Sequence, residues 1–230
     1  MKKFKIYSEI IYLLALIGLP LSVALLVAAD FGISMIMAPA YIIHQKFGYF
    51  SLGEWAYIVQ AVLFIAFCVA MKRVKLIYFT SFITCVIYGY ILDAWRIAIP
   101  FLNPDVTPSG SMDLWIRILF FITGELITSF TVMLFFKSYI YPQVCDFFVT
   151  GLVTKYNFNQ VKFKRIYDLG YLVVSIVLSL LLFGTLVGIE WGTVVIAFVT
   201  GPLIGVFAKW YDKHLETVPL FPKFEKLFKF

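Results

Sequence analysis

Pro39-Ala40-Tyr41-Ile42-Ile43-His44-Gln45-Lys46-Phe47 and Pro142-Gln143-Val144-Cys145-Asp146-Phe147-Phe148-Val149-Thr150-Gly151-Leu152-Val153-Thr154 are two short, proline-led apolar segments, each placed after an apolar run of membrane length. Neither approaches the roughly 20 apolar residues that a spanning helix needs. Each is followed by two further membrane-length runs, so the chain reads as one three-span unit used twice, over residues 1–103 and 104–230, within one membrane domain. A unit with an odd number of spans inserts its second copy upside down. Inverted repeats with broken segments recur in transporters, where the ligand site lies near the midplane between the halves. Transport is therefore the leading expectation.

Composition supports the membrane assignment. The hydrophobic fraction is 62% and the charged fraction 14%, against roughly 45–50% and ~25% in an average soluble domain. Six stretches have spanning length: residues 8–29, 55–71, 76–98, 114–136, 166–183 and 193–210. The expected fold is an all-α polytopic membrane protein, with six transmembrane helices as two inverted three-span repeats. Each repeat carries a short re-entrant or interfacial segment, and a segment lying flat on the surface would be amphipathic.

Sorted by loop, the net charge of +6 reports orientation rather than nucleic-acid binding. Lys2, Lys3 and Lys5 precede the first span, and Lys72, Arg73 and Lys75 join the second to the third. Lys137, Lys155, Lys162, Lys164 and Arg165 fill the connection from fourth to fifth, and Lys209, Lys213, Lys223, Lys226 and Lys229 follow the sixth. Only Lys46, Arg96 and Arg117 remain for the other side. Cytoplasmic loops carry the Lys/Arg excess, so both termini are expected in the cytoplasm of a bacterial cell, with the chain in its cytoplasmic membrane. Trp55, Trp95, Trp115, Trp191 and Trp210 stand near span ends, where aromatic belts form. The Val27-Ala28-Ala29 end of the first run has small residues like a signal-peptide cleavage site. The run is nearer a spanning length, and its removal would leave the first repeat one helix short, so retention is expected.

Cys68, Cys85 and Cys145 form no CxxC pair and are expected as free thiols. His44 and His214 are far apart, and no zinc or calcium pattern appears, so neither metal nor cofactor is expected. A Walker loop, GxGxxG and GxSxG are also absent, which argues against an ATP-driven pump or a hydrolase, and against an enzyme in general.

The repeat can be followed along the chain. The first unit runs Phe31-Gly32-Ile33-Ser34, Ala38-Pro39-Ala40-Tyr41, Gly48, Ser51-Leu52-Gly53-Glu54, a span, a basic turn, and a span with Gly89-Tyr90-Ile91-Leu92-Asp93. The second runs Tyr141-Pro142, Asp146, Gly151-Leu152, Arg165-Ile166-Tyr167-Asp168-Leu169-Gly170, a span, a Gly/Glu turn, and a span with Gly205-Val206-Phe207-Ala208-Lys209. Glu54 is thus set against Asp168, and Gly89 against Gly205. With GIS…P followed by SLGEW, and P…D…GL followed by a basic loop and RIYDLG, the chain resembles the YczE/YitT-type bacterial integral membrane proteins over most of its length. The resemblance implies a membrane protein of transporter-like build and supplies no substrate. Where that family often has Trp-Asp after the first proline, this chain has Ala40-Tyr41, so no carboxylate role carries over there.

Polar residues within spans are costly and face the bundle interior or an aqueous cavity. Glu125 is the foremost, midway along its run, with Gly124 before it and Thr123 and Thr128 within one turn. Facing lipid it would cost about 2.5–3.5 kcal/mol on insertion scales. The functional reading is a site for a proton, a coupling ion or a substrate ammonium. The structural alternative is a protonated acid bonding between helices. Glu54, Asp168, Asp93 and Asp146 join it as candidate binding residues, with Arg96 and Asp30 beside them, and solvated caps as the competing role. Asp93 and Arg96, three apart, are candidates for a mutual pair. Tyr88, Tyr90 and Trp95 offer an aromatic wall for an amine, or plain packing. Expected partners are the lipid bilayer and a small organic solute, cationic or zwitterionic. A second copy or an energising complex is left open, and nucleic acid is not expected. Two alternatives to a secondary transporter or facilitator stand: the substrate-binding membrane subunit of a vitamin-type importer, and a regulatory or assembly protein without a solute.

Overall fold

The computed structural model describes residues 3–72 and 74–228, so Lys2, Arg73 and Lys229 of the charge pattern lie outside the described residues. Eight helices form the body: α1 (Ser8–Ala29), α2 (Ala38–Phe47), α3 (Leu52–Met71), α4 (Phe79–Ala98), α5 (Leu114–Lys137), α6 (Val144–Tyr156), α7 (Gln160–Phe183) and α8 (Trp191–His214). Six of these are long and apolar enough to cross a membrane, α4 together with the 3₁₀ turn Leu76–Tyr78 before it. The other two, α2 and α6, contain the proline-led segments.

Local chemistry sets the ends. Ser51 and Glu54 form a reciprocal capping box, Glu54 N–H donating to Ser51 Oγ at 3.0 Å and Ser51 N–H to Glu54 Oε2 at 2.8 Å. This starts α3 at Leu52, three residues ahead of the apolar run that begins at Trp55. Asn159 caps α7 by accepting from Lys162 N–H at 3.0 Å, so the helix begins at Gln160, well before the apolar run. Gly48 and Gly184 close α2 and α7 at φ of 62° and 73°, a region only glycine enters freely. Pro20 and Pro202 lie inside α1 and α8, where each removes one backbone donor.

Two strands depart from the all-helical expectation. β1 (Phe4–Tyr7) and β2 (Leu215–Val218) pair in parallel, with Phe4 opposite Leu215 and Tyr7 opposite Val218. A four-residue strand has no periodicity to read, and its partner is some 200 positions away in sequence. The pairing places the start of α1 and the end of α8 on one face of the bundle, here the terminal face. A short final helix, α9 (Pro222–Glu225), follows β2 on that face.

α1 and α5 run side by side through the centre, the most buried of the spans. Glycines bring them together: a β-carbon at Gly18 would lie 2.7 Å from Thr131 Cγ2, and one at Gly124 would lie 3.1 Å from the Ser22 carbonyl oxygen. α4 packs against α1, and α8 against α5. α3 lies against α2 and α6, and so does α7. Each short helix also ends in a lysine that caps a long one. Lys155 Nζ donates to the carbonyls of Ala70 and Met71 at 3.0 and 2.7 Å, closing α3. Lys46 Nζ donates to the Leu182 carbonyl at 2.7 Å, closing α7. Cations at helix C-termini also meet the favourable end of the dipole.

One seam differs from the rest. α3 and α4 meet backbone to backbone at Gly53 and Gly89, where a β-carbon on either would strike the other's carbonyl oxygen. α7 and α8, joined by residues 184–190, do not pack along each other, and β-carbons at Gly170, Gly201 and Gly205 would meet nothing within 4 Å. Gly89→Ala is therefore expected to destabilise the protein by about 1–3 kcal/mol through overpacking. Gly205→Ala should stay within about 0.5 kcal/mol of the wild type. Thermal unfolding in detergent measures both.

Candidate functional site

Glu125 owes its setting to Gly124. The close approach of α1 at that glycine turns the next residue toward α8. Glu125 is 4% exposed. Its Oε1 lies 2.7 Å from Thr200 Oγ1 on α8 and 3.1 Å from Ser129 Oγ one turn along α5. Its Oε2 is buried with no hydrogen-bond partner among the described residues. Thr200 Oγ1 also lies 2.6 Å from the Ile196 carbonyl. A hydroxyl has one hydrogen. If Thr200 gives that hydrogen to Ile196, the short contact to Glu125 needs a hydrogen from the carboxyl itself. If Thr200 gives it to Glu125 instead, an ionised carboxylate is served equally well, so the contacts accommodate both forms of the acid. Beside it Thr128 Oγ1 donates to Ser22 Oγ at 2.8 Å, and Ser22 Oγ to the Leu19 carbonyl at 2.7 Å, extending a hydroxyl track into α1.

A second polar centre lies at the start of α6, against α3 and α4. Gln60 Nε2 donates to Gln143 Oε1 at 2.9 Å, Cys85 Sγ donates to Gln60 Oε1 at 2.9 Å, and Val144 N–H points to Cys85 Sγ at 3.3 Å. Gln143 is the residue just before α6, at its N-cap, and its Nε2 is buried without a partner among the described residues. Tyr88 is buried within electrostatic reach of Cys145, and Cys145 within reach of Asp146 and Lys164. Lys164 lies 3.5 Å from Asp146 and 3.0 Å from Asp168, bridging the two acids. The ion pairs thus bring Asp146 and Asp168 together, while Tyr88 is buried on α4 and Glu125 lies apart, between α5 and α8.

The remaining candidates have structural partners. Glu54 completes the α3 capping box. Asp93 accepts Gly53 N–H at 3.0 Å and also the Ser51 hydroxyl, so it supports the same helix start. Asp93 and Arg96 do not pair. Arg96 instead donates to Asn103 Oδ1 and Asp105 Oδ2, both at 2.7 Å, and Asp105 lies 3.4 Å from His44 Nε2. Arg117 closes α1 by donating to the carbonyls of Ala29 and Asp30 at 2.8 and 2.7 Å. On that same face burial raises Glu190 above the ordinary carboxylate range, with Asp30 adding to the rise and Arg117 opposing it. The aromatic wall does not form: Tyr88 is buried, Tyr90 is exposed, and Trp95 Nε1 is committed to the Ile17 carbonyl at 3.2 Å.

Sequence inspection passed over Gln60, Gln143, Lys164 and Thr200 as site residues. Gln60 was visible as an amide inside a spanning run, and Gln143 as the polar residue after Pro142. Lys164 read as a loop cation, and Thr200 carried no signal until α8 met α5. Among the described residues no group of three His, Cys, Asp or Glu side chains could hold a metal ion.

No curated protein and no solved structure matches the chain. Residues 6–209 match a family of unknown function, DUF6198. That match covers most of the chain, which therefore belongs to the DUF6198 family.

Proposed function

We propose that this protein is a secondary transporter or facilitator of a small organic solute, with Glu125 as its exchangeable-proton site. The observation that carries the proposal is the unequal packing of two seams that the sequence makes equivalent. Taking α1–α4 and α5–α8 as inverted copies, α1 with α4 corresponds to α5 with α8, and α3 with α6 corresponds to α7 with α2. Lys46 and Lys155, each next to last in its short helix, cap the middle helix of the opposite copy. Thr84 and Thr200, each five residues before its glycine, approach the carbonyl four residues earlier at 2.8 and 2.6 Å. Each also contacts a side chain on the first helix of its own copy: Tyr12 at 2.5 Å and Glu125 at 2.7 Å. Against this mirrored background α3 and α4 are closed at Gly53 and Gly89, whereas α7 and α8 stand apart. One copy closed and the other open is the asymmetry expected of a single state in alternating access.

The same proposal takes α6 as re-entrant. Its first residues bond to Gln60 and Cys85, within the spans α3 and α4, and its last lysine bonds to the end of α3. It extends to kinship with the YczE/YitT-type proteins, since SLGEW opens α3 and RIYDLG lies in the first half of the corresponding helix α7. It places the terminal face in the cytoplasm of a bacterial cell. The solute is cationic or zwitterionic, drawn by the carboxyl when its proton leaves.

Three outcomes follow. A thermal-shift screen against amines, amino acids, vitamins and their precursors, at acidic and neutral pH, should find a ligand that stabilises the wild type more strongly at one pH. Glu125→Gln should lose that pH dependence, and a mutant that keeps it removes Glu125 from the site. In a background without Cys68, Cys85 and Cys145, the pair Tyr167→Cys and Gly205→Cys should cross-link under oxidant and stop uptake into proteoliposomes. No cross-link at any solute concentration would leave the α7–α8 seam static and the transport proposal without support. In right-side-out vesicles an impermeant thiol reagent should label Asp113→Cys and spare Lys213→Cys.

A further inference from the structure

The segment after β2 has no part in the proposed transport chemistry, yet it is fixed at both ends. Glu9, in the first turn of α1, accepts Leu220 N–H at 2.9 Å, Phe221 N–H at 3.1 Å and the Tyr139 hydroxyl at 2.5 Å. At the far end the Tyr141 hydroxyl donates to the Phe228 carbonyl at 3.0 Å, and the Phe228 ring is buried 5.0 Å from that of Tyr141. These contacts fix the depth of the segment. A backbone bonded to the first turn of a spanning helix lies at the level where hydrocarbon gives way to headgroups.

Between the anchors the side chains divide by face. Phe221, Phe224 and Leu227, three apart, are 59%, 44% and 58% exposed and line an open concavity with Lys223. Lys223 and Lys226 are exposed and join no ion pair among the described residues. Glu225, the one acid between them, is half-buried and within electrostatic reach of Tyr139, on the protein side. Water would make three exposed large apolar side chains costly, whereas the membrane interface welcomes them beside lysines.

We propose that residues 220–228 form a docking site for an anionic phospholipid, with an acyl chain against Phe221, Phe224 and Leu227 and the headgroup phosphate against Lys223 and Lys226. The charge complementarity selects phosphatidylglycerol over phosphatidylcholine, and the apolar face selects a membrane lipid over free phosphate. Because Glu9 and Tyr139 lie at the start of α1 and just after α5, a docked lipid also holds the segment against the chain that leads into α6.

The test uses the full chain in nanodiscs of phosphatidylcholine with an admixture of phosphatidylglycerol, measuring lipid retained after detergent extraction by native mass spectrometry. The wild type should retain phosphatidylglycerol above its mole fraction. The double variant K223E/K226E should reduce that enrichment about 10–30-fold, from roughly 1 kcal/mol per lysine. K209E/K213E should keep it. Added salt should weaken it, and inorganic phosphate at the same ionic strength should do no more than salt. Hydrogen exchange across residues 220–228 should slow on adding phosphatidylglycerol in the wild type and in K209E/K213E at unchanged Tm. Equal retention of both lipids, or enrichment unchanged in K223E/K226E, overturns the proposal. So does a segment that exchanges equally fast in both membranes, which would leave it open to a soluble partner.

Discussion

Helices of 10 and 13 residues are too short to cross a bilayer, and each is held between two of the long ones. The ends of any helix leave backbone donors and acceptors without partners inside the helix, and side chains can supply them. Here they do so at the ends of α3 and α7 and at the start of α6. The last carbonyls of α3 and α7 receive lysines from α6 and α2, and the first residues of α6 receive Gln60 and Cys85 from α3 and α4. Each short helix is therefore wedged between α3 and α7. That wedge keeps α7 from resting on α1 or α5, which leaves it the least buried of the spans.

Close approach does the corresponding work at the centre. Lipid tails are as apolar as leucine, so spanning helices associate through packing and hydrogen bonds rather than through exclusion of water. Gly18 and Gly124 let α1 and α5 touch, and Gly53 and Gly89 do the same for α3 and α4. Hydroxyl contacts add to them, Thr128 with Ser22 between α5 and α1, Thr84 with Tyr12 between α4 and α1, and Thr200 with Glu125 between α8 and α5. Glu125 differs from the rest because its second oxygen stays unpaired. A buried polar atom without a partner is a cost that natural structures seldom carry, and among the described residues Glu125 Oε2 carries it.

Much of this was legible in the residues. Length and hydropathy placed the spans, because a bilayer imposes a minimum run that no other environment requires. Caps shifted the boundaries: Ser51 with Glu54, and Asn159, start α3 and α7 several residues ahead of their apolar runs. Glu125 stood out as a carboxylate in the middle of a span. Its neighbour Thr200 did not, since one threonine among apolar residues has no meaning until another helix faces it. Asp93 and Arg96 show the opposite case, two charges at helical spacing that local rules pair and the fold sends to different partners.

The sequence by itself determined the membrane class, the number of spans and the two segments too short to span, since each depends only on local length and polarity. Tertiary structure decided what no local pattern contains: that α2 and α6 cap helices far away in the chain, that the two ends join as β1 and β2, and that α3 and α4 close while α7 and α8 do not. Those outcomes depend on which surfaces meet. Glycines read the same in sequence whether another backbone lies against them, as at Gly53, or nothing does, as at Gly205.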